Sequence, residues 1–103
     1  RAWFALDTPD DLAFELYQNV PNPFNPSTAI GYTLAEVSQV RLSVHNVLGQ
    51  EIRVLVNAVQ SAGAYNALWD GRDAFGREVS TGLYLYRLKA GPHVAVNKMV
   101  LAK

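Results

Sequence analysis

Between residues 29 and 101 the apolar positions recur at every second residue, the period of strands with one buried face. Ile30, Tyr32 and Leu34 fall on one side, with Ala29, Gly31 and Thr33 on the other. Val40, Leu42 and Val44 alternate with Arg41, Ser43 and His45. A turn at Leu48-Gly49 leads into Ile52, Val54 and Val56, and Ala62-Gly63 breaks the pattern again before a strand at 65–69. The polar loop 70–76 precedes a strand at 82–88, Gly91-Pro92 closes it, and 93–101 make the last strand. Upstream, Phe14 and Leu16 suggest a short strand. Beyond it lie three prolines within the six residues 21–26. Each removes a backbone donor and fixes φ, so no regular ladder continues there. Asn22 and Asn25 can turn their side chains back onto nearby backbone, which favours a rigid turn. The pattern predicts an all-β fold, an antiparallel β-sandwich of about seven strands with turn signals every 8–12 residues. No segment of ten residues keeps a helical apolar period.

Residues 1–12 do not alternate and contain Thr8-Pro9-Asp10-Asp11. They read as a linker from a preceding domain, with Trp3 and Phe4 available to lie on a neighbouring surface. Residues 13–103 then form the folded unit. The chain opens with Arg1 rather than Met, so it reads as a piece of a longer protein.

Composition narrows the function. The 103 residues are 50% hydrophobic and 17% charged, enough for one core. Nine basic and nine acidic residues balance, which argues against nucleic acid as a partner. No apolar run approaches the roughly 18 residues of a membrane span. Without cysteine there is no disulfide, zinc-thiolate site or thiol nucleophile. His45 and His93 lie 48 positions apart in strands and read as exposed strand residues rather than a metal pair. No phosphate-cradling loop, H-E-x-x-H or G-x-S-x-G is present, so the chain is expected to be non-catalytic and to need no cofactor. Asp70 and Asp73, with Gly71 and Gly76, are the one candidate calcium site. Their spacing departs from the ligand pattern of known calcium loops, and capping of a tight turn is the preferred reading. Trp69, Tyr84 and Tyr86 are either inward core aromatics, the preferred reading, or a sugar-stacking platform. For the proline turn, a rigid cap over one end of the sandwich and a shaped surface for a partner stand level.

Four segments in order carry a family resemblance. Residues 16–28, with Asn19-Val20-Pro21-Asn22-Pro23-Phe24-Asn25-Pro26, resemble the opening motif of the C-terminal sorting domain of the type IX (Por) secretion system. Residues 44–52, with Leu48-Gly49 at the turn, resemble its middle motif. Gly82-Leu83-Tyr84-Leu85-Tyr86-Arg87-Leu88, and then Lys98-Met99-Val100-Leu101 with Lys103, resemble its last two. The loop Trp69-Asp70-Gly71-Arg72-Asp73 is also similar to the Ig-like domain of flagellar hook-capping proteins, a related family. His45-Asn46 departs from the aromatic followed by Asp or Asn usual in the family, a change expected to alter surface detail rather than fold.

The resemblance implies an Ig-like sandwich at the tail of an exported protein, passing through the periplasm to the cell surface or the medium. Its implied partners are the type IX translocation machinery, a sortase-like protease cutting within residues 1–12, and an upstream cargo domain. The implied signal residues are Pro21, Asn22 and Pro23 as the structural opening, then Gly82, Tyr84, Lys98, Met99, Val100, Leu101 and Lys103. The last strand is expected to offer its edge to a receptor by strand addition. A structural Ig-like accessory domain packing on an upstream catalytic domain is the alternative, and a calcium- or carbohydrate-binding module is the third reading.

Overall fold

The computed structural model describes residues 13–102; residues 1–12, where a linker is expected, and Lys103 lie outside the described residues. Seven strands follow in order: β1 (Glu15–Leu16), β2 (Thr28–Leu34), β3 (Ser38–His45), β4 (Glu51–Gln60), β5 (Gly63–Trp69), β6 (Gly82–Ala90) and β7 (His93–Leu101). They form a three-stranded sheet ordered β1-β2-β5 and a four-stranded sheet ordered β4-β3-β6-β7, with every pairing antiparallel. Among the described residues there is no helix. The all-β antiparallel sandwich expected from the alternation is the fold observed, in the Ig-like form that the resemblance implies.

The alternating apolar series supply the filling. Ile30, Tyr32 and Leu34 of one sheet face Val40, Leu42, Val44, Leu88 and Met99 of the other, all fully buried. Each such aliphatic side chain contributes roughly 1.5–3 kcal/mol by leaving water. Trp69, Tyr84 and Tyr86 are buried with them. Inward packing is therefore correct for these three rings, and they form no sugar-stacking platform.

Strand β4 departs from the expected alternation. Leu42 faces Val56 while Ser43 faces Val54, which leaves Leu55 as an extra residue, and a second irregularity follows between Val44 and His45. The residues packed on the core are accordingly Ile52, Leu55 and Val56, not Ile52, Val54 and Val56. An extra residue flips the side-chain alternation beyond it. Here it falls on a sheet edge, where a broken ladder discourages pairing with another chain.

The register sets the two ends of the sandwich. The β2–β3, β4–β5 and β6–β7 turns gather at one end, where residue 13 also lies, its carbonyl accepting from the Thr33 hydroxyl. The proline turn, the β3–β4 turn, the loop before β6 and the end of β7 gather at the other. The described chain therefore enters at one end and leaves at the opposite one.

Candidate functional site

The proline turn is held to the last strand by main-chain and side-chain bonds that bridge some 80 residues of sequence. Phe24 N–H donates to the Val100 carbonyl at 2.9 Å, and Ala102 N–H donates to the Phe24 carbonyl at 2.9 Å. Between them Phe24 and Leu101 form a parallel bridge. Val100 N–H donates to Asn22 Oδ1 at 2.9 Å, and Gln18 Nε2 donates to the Lys98 carbonyl at 2.7 Å. The Phe24 ring is buried beside Trp69, with centroids 5.6 Å apart, and Trp69 in turn meets Tyr84 edge-on at 5.5 Å. Residues 18–24 thus form a clasp along the outer edge of β7.

Below the clasp lies a buried polar cluster. Tyr86 Oη donates to the Tyr17 carbonyl at 2.6 Å and accepts from Asn19 N–H at 2.9 Å. Asn97 Nδ2 donates to the Leu16 carbonyl at 3.3 Å. Asn19 Nδ2 donates to Thr28 Oγ1 and to the Pro21 carbonyl, and Thr28 Oγ1 donates to the same carbonyl. Burial pushes the Tyr86 phenol above its ordinary pKa, partly offset by the bonds from Asn97 and Asn19. No buried side-chain polar atom of the described residues is left without a partner. That is the condition under which a polar cluster rigidifies a core rather than weakening it.

The predicted signal residues other than Lys103, which lies outside the described residues, therefore stand toward one end of the described molecule. Pro21, Asn22 and Pro23 are exposed on the turn, and Asn22 reaches β7 rather than its own backbone. The local cap is made by Asn19, and Asn25 instead lines a cleft. The Val20–Pro21, Asn22–Pro23 and Asn25–Pro26 peptide bonds are all cis. Gly82 opens β6 opposite Leu101, and Tyr84 pairs with Met99. Lys98 and Val100 point to the outer face, whereas Met99, Leu101 and Tyr84 are buried. Tyr84 Oη donates to the Ser80 carbonyl at 2.6 Å. The edge of β7 over residues 98–102 is not open for strand addition, because Gln18, Asn22 and Phe24 already occupy it.

The cleft beside the clasp has a volume of about 400 Å³ and is lined by Asn25, Pro26, Ser27, Asp70, Gly71, Arg72, Glu78 and Leu101. Gly71 (φ 77°) closes its floor, and a Cβ there would lie 3.0 Å from the Pro26 carbonyl oxygen. Both loop aspartates serve the turns. Asp70 Oδ1 accepts from Arg72 N–H at 3.1 Å and from Arg53 Nη1 at 3.3 Å. Asp73 Oδ1 accepts from the backbone N–H groups of Phe75 and Arg77, and its Oδ2 from Arg77 Nε. The backbone N–H of Arg77 is the main cause holding the Asp73 carboxyl below its ordinary pKa. Among the described residues no three of His, Cys, Asp and Glu cluster as metal ligands. His93 is exposed and stacks on Phe14 at 5.0 Å, whereas His45 is half-buried, contrary to expectation, because its ring bonds the Ser43 hydroxyl. The departure at His45-Asn46 leaves the turn intact: Asn46 Oδ1 accepts from the N–H groups of Leu48 and Gln50.

The sequence profile described as the FlgD Ig-like domain matches residues 25–92. No curated protein matches the chain in sequence. Among solved structures, dimeric latent PorU from Porphyromonas gingivalis shares the fold with a TM-score of 0.68 at 16% identity, over 82% of this chain and 9% of PorU. PorZ, a surface component of the type IX secretion system of the same bacterium, gives 0.56 at 16% identity, over 87% of this chain and 11% of PorZ. FlgD from P. aeruginosa gives 0.58 at 20% identity, over 81% of this chain and 70% of FlgD. The chain spans about a tenth of PorU and of PorZ, and at these identities the likeness is one of fold.

Proposed function

The chain belongs to the FlgD Ig-like domain family, and from that footing we propose that it is a non-catalytic C-terminal sorting domain directing an exported cargo across the outer membrane. The cargo would pass through the periplasm and then be anchored at the cell surface or released. The supporting observation is that a part of each of the four motif segments, namely the proline turn, the Leu48-Gly49 turn, the start of β6 and the end of β7, lies at the end of the sandwich opposite residue 13. An upstream cargo joined at 13 would leave the clasped end free for the type IX machinery. The sharing of the fold with parts of PorU and PorZ agrees with this reading. A sortase-like protease would act in residues 1–12, upstream of the described strands.

Burial divides the signal residues by role. Tyr84, Met99 and Leu101 hold the fold. Pro21, Asn22, Pro23, Gly82, Lys98 and Val100 are the described signal residues a receptor can reach, with Lys103 beside the last two in sequence. Removing residues 98–103 would take out two fully buried side chains, so loss of export in that deletion would not separate recognition from unfolding. The test is a fusion of a signal peptide, a fluorescent reporter and residues 10–103 in a host with this secretion system. It is run beside Lys98→Ala/Lys103→Ala, whose melting temperature should match the parent. Reporter reaching the surface or medium, and reduced in the variant, supports the sorting reading. A folded reporter held in the periplasm favours a structural Ig-like accessory domain, the alternative that the family match to FlgD supports.

A further inference from the structure

The outer face of the four-stranded sheet has an uneven balance of charge. Cross-strand register places Leu83 beside Val100, Leu85 beside Lys98, Arg87 beside Val96 and Lys89 beside Val94. On the neighbouring strand, Leu85, Arg87 and Lys89 sit opposite His45, Ser43 and Arg41. The carboxylate on this face, Glu51, is held by Arg41 at 2.6 Å. Elsewhere the cations Arg53, Arg72 and Arg77 are paired with Asp70, Glu78 and Asp73. Arg87, Lys89 and Lys98 form no ion pair among the described residues, and all three stand on this one face.

Between these cations the surface is apolar. Val94 and Val96 are about half exposed, at 49% and 51%. A hollow of about 270 Å³, bordered by His45, Gly49, Leu85, Arg87 and Val96, opens between β3, β6 and β7. We infer that this face docks an acidic polypeptide segment, seating one aliphatic side chain in the hollow and setting carboxylates on Arg87, Lys89 and Lys98. Three like charges around an apolar floor attract the opposite charge and give an apolar anchor somewhere to lose water. An acidic glycan fits less well, because the aromatic rings on which sugars stack are turned into the core on these strands. This inference stands apart from the export reading, which a failed peptide titration would leave intact.

The test is fluorescence anisotropy of the full 103-residue chain with fluorescein-labelled Gly-Asp-Glu-Leu-Asp-Glu-Gly. Comparison peptides carry Lys for each acid, or Gly for Leu. The acidic peptide should bind at low salt and weaken at least tenfold in Arg87→Glu/Lys89→Glu, while Arg53→Gln on the other charge cluster changes binding less than twofold. Lys98→Gln should weaken it severalfold without moving the melting temperature. Amide and methyl shifts on titration should map to Leu85 and Val96. Equal binding of the lysine peptide, indifference to Arg87→Glu/Lys89→Glu, or shifts mapping elsewhere would overturn the inference. So would dextran sulfate binding as tightly as the peptide, or burial of this face in a dimer of the chain by sedimentation.

Discussion

Tyr86 shows how one hydroxyl can join the two sheets. Its ring fills the core from β6, and its oxygen satisfies the Tyr17 carbonyl, just before the clasp, and the Asn19 N–H within it. Tyr86→Phe keeps the ring and strands both groups, so stability should fall by about 1–3 kcal/mol in urea unfolding. The phenol also gives the alkaline limb its sign. Burial raises its pKa, so the folded state holds the proton more tightly than the unfolded chain does. The stability it contributes is complete below the ordinary phenol value, near 10, and is lost as pH rises through the raised one. The parent should therefore lose stability above about pH 10, and more steeply than Tyr86→Phe. Gly71 is a second single-residue dependence. Gly71→Ala meets both a positive φ and the Pro26 carbonyl, and should cost more than about 1 kcal/mol by thermal melting.

At the scale of elements, the clasp and β7 act as one unit, and Asn22 and Asn25 separate its working side chain from a bystander. Asn22→Ala leaves the Val100 N–H without its acceptor and should lower stability by about 0.5–1.5 kcal/mol. Asn25→Ala should stay within about 0.5 kcal/mol in the same urea titration. The strands were legible beforehand because Val40, Leu42 and Val44, or Ile30, Tyr32 and Leu34, repeat a period that only one buried face explains. The clasp was not, because a bond between residues 22 and 100 leaves no local periodicity. One clue did stand in the chain: Asn97 is a polar residue in the inward series Ala95, Asn97, Met99, Leu101, and such a residue needs a buried partner. The shift in β4 was likewise illegible, since Val54, Leu55 and Val56 are all apolar and any of them could face the core.

For the whole molecule, acid should weaken the fold only gently. Hydrogen bonds to Arg41 hold Glu51, and backbone N–H groups hold Asp73, below their ordinary values. The stability these carboxylates contribute is present above the usual carboxylate range and is lost as pH falls through the lowered values. Melting temperature should decline below about pH 4, and added salt should flatten the part of that decline that comes from Glu51, which is exposed. The clasp also sets an order of events for a chain that emerges from a ribosome or a membrane channel N-terminus first. Gln18, Asn22 and Phe24 appear early, yet the groups they bind, on Lys98, Val100 and Ala102, arrive some 80 residues later. Until residue 101 has emerged, the Phe24 ring has no Leu101 strand beside it, and the proline turn has nothing to close upon. Closure of the clasp is thus a physical record that synthesis ran past residue 101, and a prematurely terminated chain cannot counterfeit it.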